Sequence, residues 1–550
     1  MNRTTRHRAA ASSGVICLAL ALSSTAVCAQ GAAAGDAASA PPARFPVYAI
    51  DVLGVTRLPQ GQVEAAVYPF LGENRTSTDV EAARKAVQDA YAKLAYEAVI
   101  VEIPPQPEQD FAAGVVRLAV SEVPLAEVKV SGAKYHSADA VLRDLPSVKA
   151  GEPLDFARLQ RDIAQANRHP DREIVPAFDA GAQPGTINVD LQVRDSLPFH
   201  GSAELNNDNS PNTSALRSTA SLRYTNLWGA GHTITAGVSV APERRKDSEA
   251  AFASYTAPLI GGPWTISLSG YASNSDIAAL GGTNVLGNGW QVGVQAIYRL
   301  DTASDYHAFR VGLDYKDFKQ DINFGEDGVT SAPISYVPLT LGYDFSHAGE
   351  KSSLDISIAS TLGLRVIKHV SCFDPNATVC IPEDQFTNRE VDAIENFAHI
   401  NLDASYTRRF GGWESFVRLS GQYADSHLVS NEQFAVGGMT TLRGYYQSEI
   451  VGDRGLNGTV ELRAPSLATH IGKFVDDVRL YVFTDAGLVS VIDPLPDADS
   501  VFRVASVGGG IRVRLFGHLA GEALVGLPLV STSDTRRYDP RFTFLVKGEF

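Results

Sequence analysis

The chain has 550 residues and a formal net charge of −15 at pH 7, because 62 acidic residues outnumber 47 lysines and arginines. An acidic protein of this kind repels the phosphate backbone of nucleic acids, so we expect no nucleic acid among its partners. Beyond the first residues, no window of 18 consecutive apolar residues occurs. This excludes a membrane-spanning helix and leaves a transmembrane β-barrel open.

The amino terminus has the pattern of a secretory signal peptide over residues 1–29. Three arginines lie within the first eight residues, and an apolar core at 14–22 is followed by small residues at 27–29. The apolar core is too short to span a membrane. A lipoprotein anchored at Cys28 is the alternative, which the preceding valine disfavours. A short leader rich in Ala, Gly and Pro, residues 30–44, then precedes the first predicted strand.

Residues 45–124 and 125–195 follow the same pattern of one strand, two helices and two strands. Apolar alternation and apolar helical stripes predict these elements, and a β-α-α-β-β unit that occurs twice in succession is typical of a tandem repeat. In the first copy we place strands over 47–55, 98–103 and 114–123 and the longer helix over 77–96; in the second, strands over 126–132, 172–178 and 186–195 and helices over 137–145 and 155–167. The sequence therefore predicts two small α+β domains.

From residue 197 to the end, 197–550, helical periodicity disappears and apolar and polar residues alternate, so that Ile234 and Val238, for example, share one face. Connections after even-numbered strands are short, whereas those after odd-numbered strands are often long, notably 365–397 and 426–455. An even strand count with this asymmetry predicts an antiparallel transmembrane barrel of sixteen strands. The strands are predicted near 198–207, 217–225, 232–242, 249–260, 265–275, 289–301, 307–321, 335–347, 352–364, 398–410, 413–425, 456–466, 478–490, 501–516, 519–530 and 538–550.

Aromatic residues also favour a membrane location. Trp228, Trp264 and Trp413 fall at predicted short turns, and Trp290 begins a strand at the opposite rim. These are the positions at which interfacial aromatic belts occur. The chain ends on Phe550, and a terminal aromatic on an amphipathic last strand resembles the signal by which barrels are recognised for membrane insertion.

The sixth long connection, residues 426–455 and called loop 6 below, carries an arginine beside a glycine and an aromatic pair. Two motifs supply the candidate site residues: LRGY in loop 6, with Arg443, Gly444 and Tyr445, and FTDAG on the thirteenth strand, with Phe483, Asp485 and Gly487. On that strand, Asp485 falls on the face opposite Leu480, so we expect its carboxylate to point into the barrel. In VELR, Glu461 and Arg463 also face the lumen, and we interpret them as wall charges that line the path.

Two tandem domains, a sixteen-stranded barrel and this pair of motifs resemble the superfamily of transporters that combine periplasmic POTRA domains with an outer-membrane barrel. Its hallmarks are a [V/L]RG[Y/F] loop tip folded into the lumen and an F-x-D-x-G motif on the wall, and the resemblance covers essentially the whole mature chain. About 150 residues precede the barrel, enough for two POTRA domains. Segment 103–122, IPPQPEQDFAAGVVRLAVSE, is similar to the end of the first POTRA domain in two-partner secretion transporters, the TpsB or ShlB/FhaC/HecB haemolysin secretion and activation family.

The resemblance implies that Arg443 meets Asp485 inside the barrel, with Gly444 allowing the sharp tip and Tyr445 packing beside it. An arginine–carboxylate pair shielded from water is charge-assisted and geometrically defined, which suits a contact that holds a loop in position. From the residues alone, an ordinary solvated loop arginine is the alternative.

The resemblance implies transport rather than catalysis. The POTRA domains would bind an unfolded exoprotein in the periplasm, and the client would cross the barrel to the surface of a Gram-negative cell (two-partner secretion, type Vb). The expected partners are a large secreted β-helical exoprotein, outer-membrane lipid and lipopolysaccharide, periplasmic chaperones and the barrel-assembly machinery, and the chain itself is expected to be a monomer. The alternatives are an assembly factor that inserts other barrels, a passive porin, and a role for the tandem domains as spacers only.

Two cysteines remain beyond the signal peptide, Cys372 and Cys380 in SCFDPNATVC. In an exported protein this spacing predicts a local disulfide, with two free thiols as the alternative. No Cys and His cluster with metal-ligand spacing occurs, so we expect neither a metal nor another cofactor. Segment 30–44 is too short for the plug helix and linker that several family members carry, so we expect no amino-terminal plug and loop 6 as the main obstruction of the pore.

Overall fold

The structure is a computed structural model that describes residues 44–94, 96, 99–167, 169–183, 185–259, 262–274, 277–280, 283–286, 288–301, 305–319, 321–323, 329–331, 333–367, 370–371, 383–494 and 499–550. The predicted signal peptide 1–29, all but the last residue of the predicted leader 30–44, and the predicted disulfide residues Cys372 and Cys380 lie outside these residues. Within them, no helix is long and apolar enough to cross a bilayer. The chain divides into two compact units, one ending at Tyr91 and including 100–121, the other made of 92–99 and 122–550.

The first unit is a small α+β domain. Strand β2 runs parallel to β5, and β5 pairs antiparallel with β4, while β1 and β3 pair separately. Helix α2 turns Val80, Val87 and Tyr91 into the core because these residues recur at helical spacing. The elements are β1 (Phe45–Val47), β2 (Ala49–Leu53), α1 (Gln60–Val67), β3 (Gly72–Arg75), α2 (Ser77–Lys93), β4 (Ile100–Glu102), α3 (Glu108–Ala112) and β5 (Val115–Ser121).

The Pro-Pro-Gln element of this unit extends the sheet past the end of β4. Pro104 has no N–H to donate to the next position of β5. The Gln106 carboxamide takes that position: its Nε2 donates to the carbonyl oxygen of Arg117 at 2.9 Å, and its Oε1 accepts from the Arg117 N–H at 2.7 Å. The element therefore has a structural role at the closing strand of the domain.

The second unit begins with a similar domain. Its sheet has the order β6-β8-β7, with β6 parallel to β8, and helix caps are formed by Ser137 and Asp155, whose side chains accept backbone N–H groups. Leu125, Val141 and Leu191 lie in its buried core. The elements are β6 (Leu125–Ser131), α4 (Ala138–Arg143), α5 (Phe156–Ala166), β7 (Arg172–Ala180) and β8 (Ile187–Asp195).

The rest of the second unit is a closed antiparallel barrel, in the order β10-β11-β12-β13-β16-β17-β20-β21-β24-β25-β28-β29-β30-β31-β32-β9 once its strands are numbered along the chain. The remaining strands pair two by two within connections. The elements are β9 (Phe199–Asn206), β10 (Arg217–Leu227), β11 (His232–Val240), β12 (Glu249–Pro258), β13 (Trp264–Ser273), β14 (Ile277–Leu280), β15 (Thr283–Leu286), β16 (Asn288–Asp301), β17 (Asp305–Lys319), β18 (Asp321–Asn323), β19 (Val329–Ser331), β20 (Ile334–Ala348), β21 (Ser352–Leu364), β22 (Val370–Ser371), β23 (Glu383–Asp384), α6 (Gln385–Arg389), β24 (Ala398–Phe410), β25 (Trp413–Ala424), β26 (Phe434–Val436), β27 (Ile450–Gly452), β28 (Arg454–Arg463), α7 (Ala468–Ile471), β29 (Val475–Ser490), β30 (Val501–Leu515), β31 (Leu519–Pro528) and β32 (Arg541–Glu549). The predicted fold class is confirmed.

Alternation decides what each barrel strand shows to the two sides of the wall. On β29, Leu480 and Val482 are exposed on the outer face, whereas Phe483 and Asp485 are buried inside. The barrel closes where β32 pairs with β9, and the terminal Phe550 continues this seam by exchanging backbone hydrogen bonds with Gly201 at 3.0 Å each. Closure removes the open sheet edges that a bilayer does not tolerate.

The second small domain is hydrogen-bonded to the rim at which β9 begins. The Thr225 hydroxyl donates to Asp171, and Nε2 of His200 lies 2.8 Å from the same carboxylate. Arg143 donates to the carbonyl oxygen of Gly229 at 2.9 Å. These contacts hold the domain at the barrel entrance on that side.

Candidate functional site in the barrel lumen

Loop 6 contains a short two-stranded hairpin inside the barrel. Strands β26 and β27 pair Val436 with Ile450, and the tip between them is anchored by an apolar cluster. In that cluster, Leu442 and Tyr445 of the tip pack against wall residues that include Val489. Burial of these side chains keeps the tip against the wall formed by β28 to β31.

The Arg443 side chain is the centre of the site. Its Nε and Nη2 donate to the two carboxylate oxygens of Asp485 at 2.9 and 2.7 Å, and its backbone N–H donates to Asp485 at 3.0 Å. Its Nη1 donates to Glu461 at 2.6 Å, and the guanidinium lies 3.5 Å from the centre of the Phe483 ring. Arg443 is 5% exposed and Asp485 1% exposed, so the pair is held away from bulk water. We call this arrangement the arginine hook.

Glu461, predicted only as a charge lining the wall, contacts three arginines. Besides Arg443, it accepts hydrogen bonds from Arg463 at 2.6 Å and from Arg512 at 2.6 Å. It therefore links the hook to the arginines of the wall, and Arg463 reaches the site only through Glu461. Alternation on β28 predicts that Glu461 and Arg463 face the lumen, but no local sequence signal predicts their contacts with Arg443 and Arg512.

The other motif residues shape the tip. Gly444 has a φ of +97°, a conformation that favours glycine because a side chain there would be strained. The Tyr445 hydroxyl lies within hydrogen-bond distance of two carbonyl oxygens, 2.8 Å from that of Val530 and 3.0 Å from that of Ala505, and its single hydrogen can be donated to either. Gly487 lies on β29 where an added Cβ would come 3.2 Å from a side-chain atom of a neighbouring strand.

Further residues, which the sequence reasoning missed, hold the sides of the tip. Asp208, just after β9, accepts from the Met439 N–H at 3.0 Å, and Arg541 at the start of β32 lies 3.8 Å from the centre of the Tyr446 ring. The Thr535 hydroxyl donates to a carboxylate of loop 6 at 2.6 Å. These partners lie 86 to 231 residues along the chain from the loop 6 residues that they contact, so only folding brings them together.

The base of loop 6 packs beneath a second connection, at the barrel mouth opposite the second small domain. Helix α6 of that connection buries Phe386 in an apolar cluster with Leu428 of loop 6. His427 lies between Asp453 at 2.9 Å and Glu390 at 3.6 Å. The hydrogen bond to Asp453 and then the nearby Glu390 carboxylate raise the pKa of His427 to about 10, so it is a cation at neutral pH.

The chain has small α+β domains followed by a closed sixteen-stranded barrel, and the barrel encloses an arginine-tipped loop. These features define an outer-membrane transporter of the POTRA-plus-barrel class. The family model of the haemolysin secretion/activation proteins ShlB/FhaC/HecB matches residues 185–513, and the ShlB-type POTRA domain matches 45–122. The chain belongs to the ShlB/FhaC/HecB family, which is the family that the sequence motifs predicted. It is a two-partner secretion transporter of the outer membrane.

Its relatives agree with this assignment. The outer membrane transporter CdiB of Escherichia coli is 23% identical over 504 residues, covering 88% of this chain and 79% of that protein. The solved structure of CdiB from Escherichia coli superposes with a TM-score of 0.65 at 18% identity, over 94% of this chain and 93% of that one. BamA from Haemophilus ducreyi lacking POTRA domains 1–3 reaches 0.52 at 13% identity, over 92% of this chain and 100% of that one. At these identities the structural likeness shows the fold alone.

Proposed function

We propose that this protein exports a large, unfolded exoprotein through its barrel and that the arginine hook is the element that must shift for passage. The observation that carries the proposal is the contact of Arg443 with both Asp485 and Glu461 inside a closed barrel. The chemistry needed is capture, threading and release of an extended chain. Motion of a loop can supply the threading step, with no bond made or broken.

Capture begins at the small domains, for which we propose the boundaries 45–124 and 125–195, with 197–550 as the pore domain and 1–29 as a removed export signal. In the first unit, β4 pairs along one side with β5; in the second, β7 pairs along one side with β8. An extended client segment can add to such an open edge by main-chain hydrogen bonds, independently of its sequence. This favours binding of an unfolded client over a spacer role.

Passage requires the hook to leave its carboxylates. Removing one partner of a buried ion pair costs on the order of 3–5 kcal/mol, whereas an intact pair contributes much less net energy. The hook is therefore suited to fixing the position of loop 6 rather than to stabilising the barrel. The sequence has no phosphate-binding Gly-rich loop, so we propose that folding of the β-helical client outside the cell drives export.

We also propose a monomer whose outer face contacts lipid and lipopolysaccharide, and whose own insertion uses periplasmic chaperones and the barrel-assembly machinery. For Cys372 and Cys380 we propose a disulfide that stiffens the connection at 365–397.

The test compares secretion of the client by Arg443→Ala, Asp485→Ala and the matched control Arg310→Ala. Arg310 also faces the lumen and also makes a two-pronged contact with an aspartate, Asp344, at 2.6 and 2.9 Å, but this partner lies on a barrel strand and both residues belong to the wall. We expect the first two variants to lose secretion with normal barrel assembly, measured as heat-modifiable migration, and the control to secrete normally.

Undiminished secretion by both hook variants would remove the hook from the mechanism. The alternative function is insertion of other barrels. Loss of unrelated outer-membrane barrels in a strain that lacks this protein, with no secreted client missing from the medium, would support that function instead.

A further inference from the structure

Inward-facing glycines occupy the part of the wall against which the hook rests. Gly508 on β30 and Gly526 on β31 are directly opposite each other in the strand register. Neither has a positive φ, so backbone conformation does not require glycine at these positions. Space is the remaining physical reason for the lack of a side chain.

At Gly526 the occupant of that space is the tip of loop 6. An added Cβ would lie 2.5 Å from the backbone nitrogen of Gly444, 2.7 Å from its Cα and 2.8 Å from the carbonyl carbon of Arg443. Real Cβ atoms do not approach other atoms this closely, and backbone atoms cannot rotate away as the end of a side chain can. The tip therefore lies directly on the strand backbone, at the residue that bears the hook and at the next one.

At Gly508 the space is used by Phe483. An added Cβ would lie 2.4 Å from Cζ of Phe483, whose ring supports the Arg443 guanidinium, and 2.2 Å from the carbonyl oxygen of Val525. Because the second clash is with a neighbouring barrel strand, a substitution here would disturb the wall itself. Gly526 differs in this respect, since its three nearest contacts all belong to loop 6.

We infer that Gly526 is a positioning residue for the arginine hook: it lets the Arg443–Gly444 backbone sit against β31 so that the guanidinium reaches Asp485. This inference rests on the proposed function of the hook. It assigns a transport role to a residue that carries no charge and has no side chain. The sequence LVGLP shows no sign of that role.

The test is Gly526→Ala beside two matched controls that make the same chemical change on the same wall. An added Cβ at Gly548 has no atom within 4 Å, and at Gly521 its nearest neighbour is 3.9 Å away. We expect Gly526→Ala to show an increased open fraction in single-channel recordings of the purified protein, and a loss of client secretion equal to that of Arg443→Ala. Gly548→Ala and Gly521→Ala should match the unmodified protein in both measurements.

Combining Gly526→Ala with Arg443→Ala separates positioning from a general structural defect. If Gly526 acts through the hook, the double variant conducts and secretes like Arg443→Ala alone. Additional loss in the double variant would overturn the inference. The inference would also be overturned if Gly526→Ala behaved like its controls while Arg443→Ala was defective. If Arg443→Ala also behaved like the unmodified protein, the proposed function of the hook would fail instead.

A Gly526→Ala protein that does not assemble still decides the question. In that case, residues 438–448 are deleted in the same variant, which removes the backbone that the new methyl group would meet. Recovery of a heat-modifiable barrel supports the inference, since the defect then requires the loop tip. Failure to recover overturns it, because the methyl group would be incompatible with the wall.

Discussion

Replacing Asp485 by asparagine should release the hook more than replacing Glu461 by glutamine. Both changes remove one charge and keep nearly the same shape. Asp485 accepts three hydrogen bonds from Arg443, including the backbone one, whereas Glu461 accepts one. The two carboxylates therefore differ in how much of the hook each holds.

The size of each effect depends on which carboxylates the arginines of the site keep after the substitution. Without the Glu461 charge, each of the three arginines still has an ion pair. Arg443 pairs with Asp485, Arg463 with Glu414, and Arg512 with Glu522 at 3.0 Å. The loss is then about that of one charged hydrogen bond, about 1.5–3 kcal/mol, or on the order of tenfold to a hundredfold in the ratio of closed to open hook.

Without the Asp485 charge, Arg443 depends on Glu461 alone, and Glu461 already accepts from two other arginines. This is the case of a buried pair with one partner removed, on the order of 3–5 kcal/mol. The ratio of closed to open hook should fall on the order of a hundredfold to several thousandfold.

The assay is the open fraction of single channels of purified protein in planar bilayers without client. We expect the open fraction to increase from the unmodified protein through Glu461→Gln to Asp485→Asn. Arg310→Ala is the control and should leave it unchanged. An equal effect of the two substitutions, or a larger effect of Glu461→Gln, would refute the claim that Asp485 holds Arg443 more strongly than Glu461 does.

Three further predictions concern the two ends of the barrel. The pKa of His427 rises from 6.5 to about 10 on folding, so its contribution to the contact between loop 6 and the connection at 383–397 is complete below pH 6.5 and is lost as the pH rises toward 10; protection of the 426–433 amides from hydrogen exchange, corrected for base catalysis, should fall over that window, and His427→Gln should abolish this fall. Phe386→Ala should cost about 3–5 kcal/mol locally, seen as new protease cleavage within 383–397. Deletion of Phe550 should lower the heat-modifiable fraction, because the seam loses two backbone hydrogen bonds.

Each of these has an outcome that contradicts it. Protection at 426–433 that does not change between pH 6.5 and 10 would show that His427 does not hold loop 6 against the connection at 383–397. Phe386→Ala should be compared with Val391→Ala, an exposed residue of the same connection that should change little. Normal assembly without Phe550 would show that the main-chain pairs of β32 with β9 close the barrel unaided.

The barrel strands can be read from the amino-acid sequence, because the pattern that defines them is local. A wall one residue thick with lipid on one side and water on the other imposes alternation on every strand, and the alternation is readable without knowing the partners. The same argument placed Leu480 outside and Asp485 inside. The short strands β1 and β3 and helix α3 are not evident in the sequence pattern, since a few residues carry too little periodicity.

The contacts of the arginine hook follow only from the tertiary structure. That Glu461 joins Arg443 to Arg512, and that Gly526 leaves room for Gly444, depends on the register of four strands and on where loop 6 enters the lumen. These contacts join residues that are 18 to 82 positions apart in the chain and whose types are ordinary for a barrel wall. Such information resides in long-range packing, which local residue patterns do not encode.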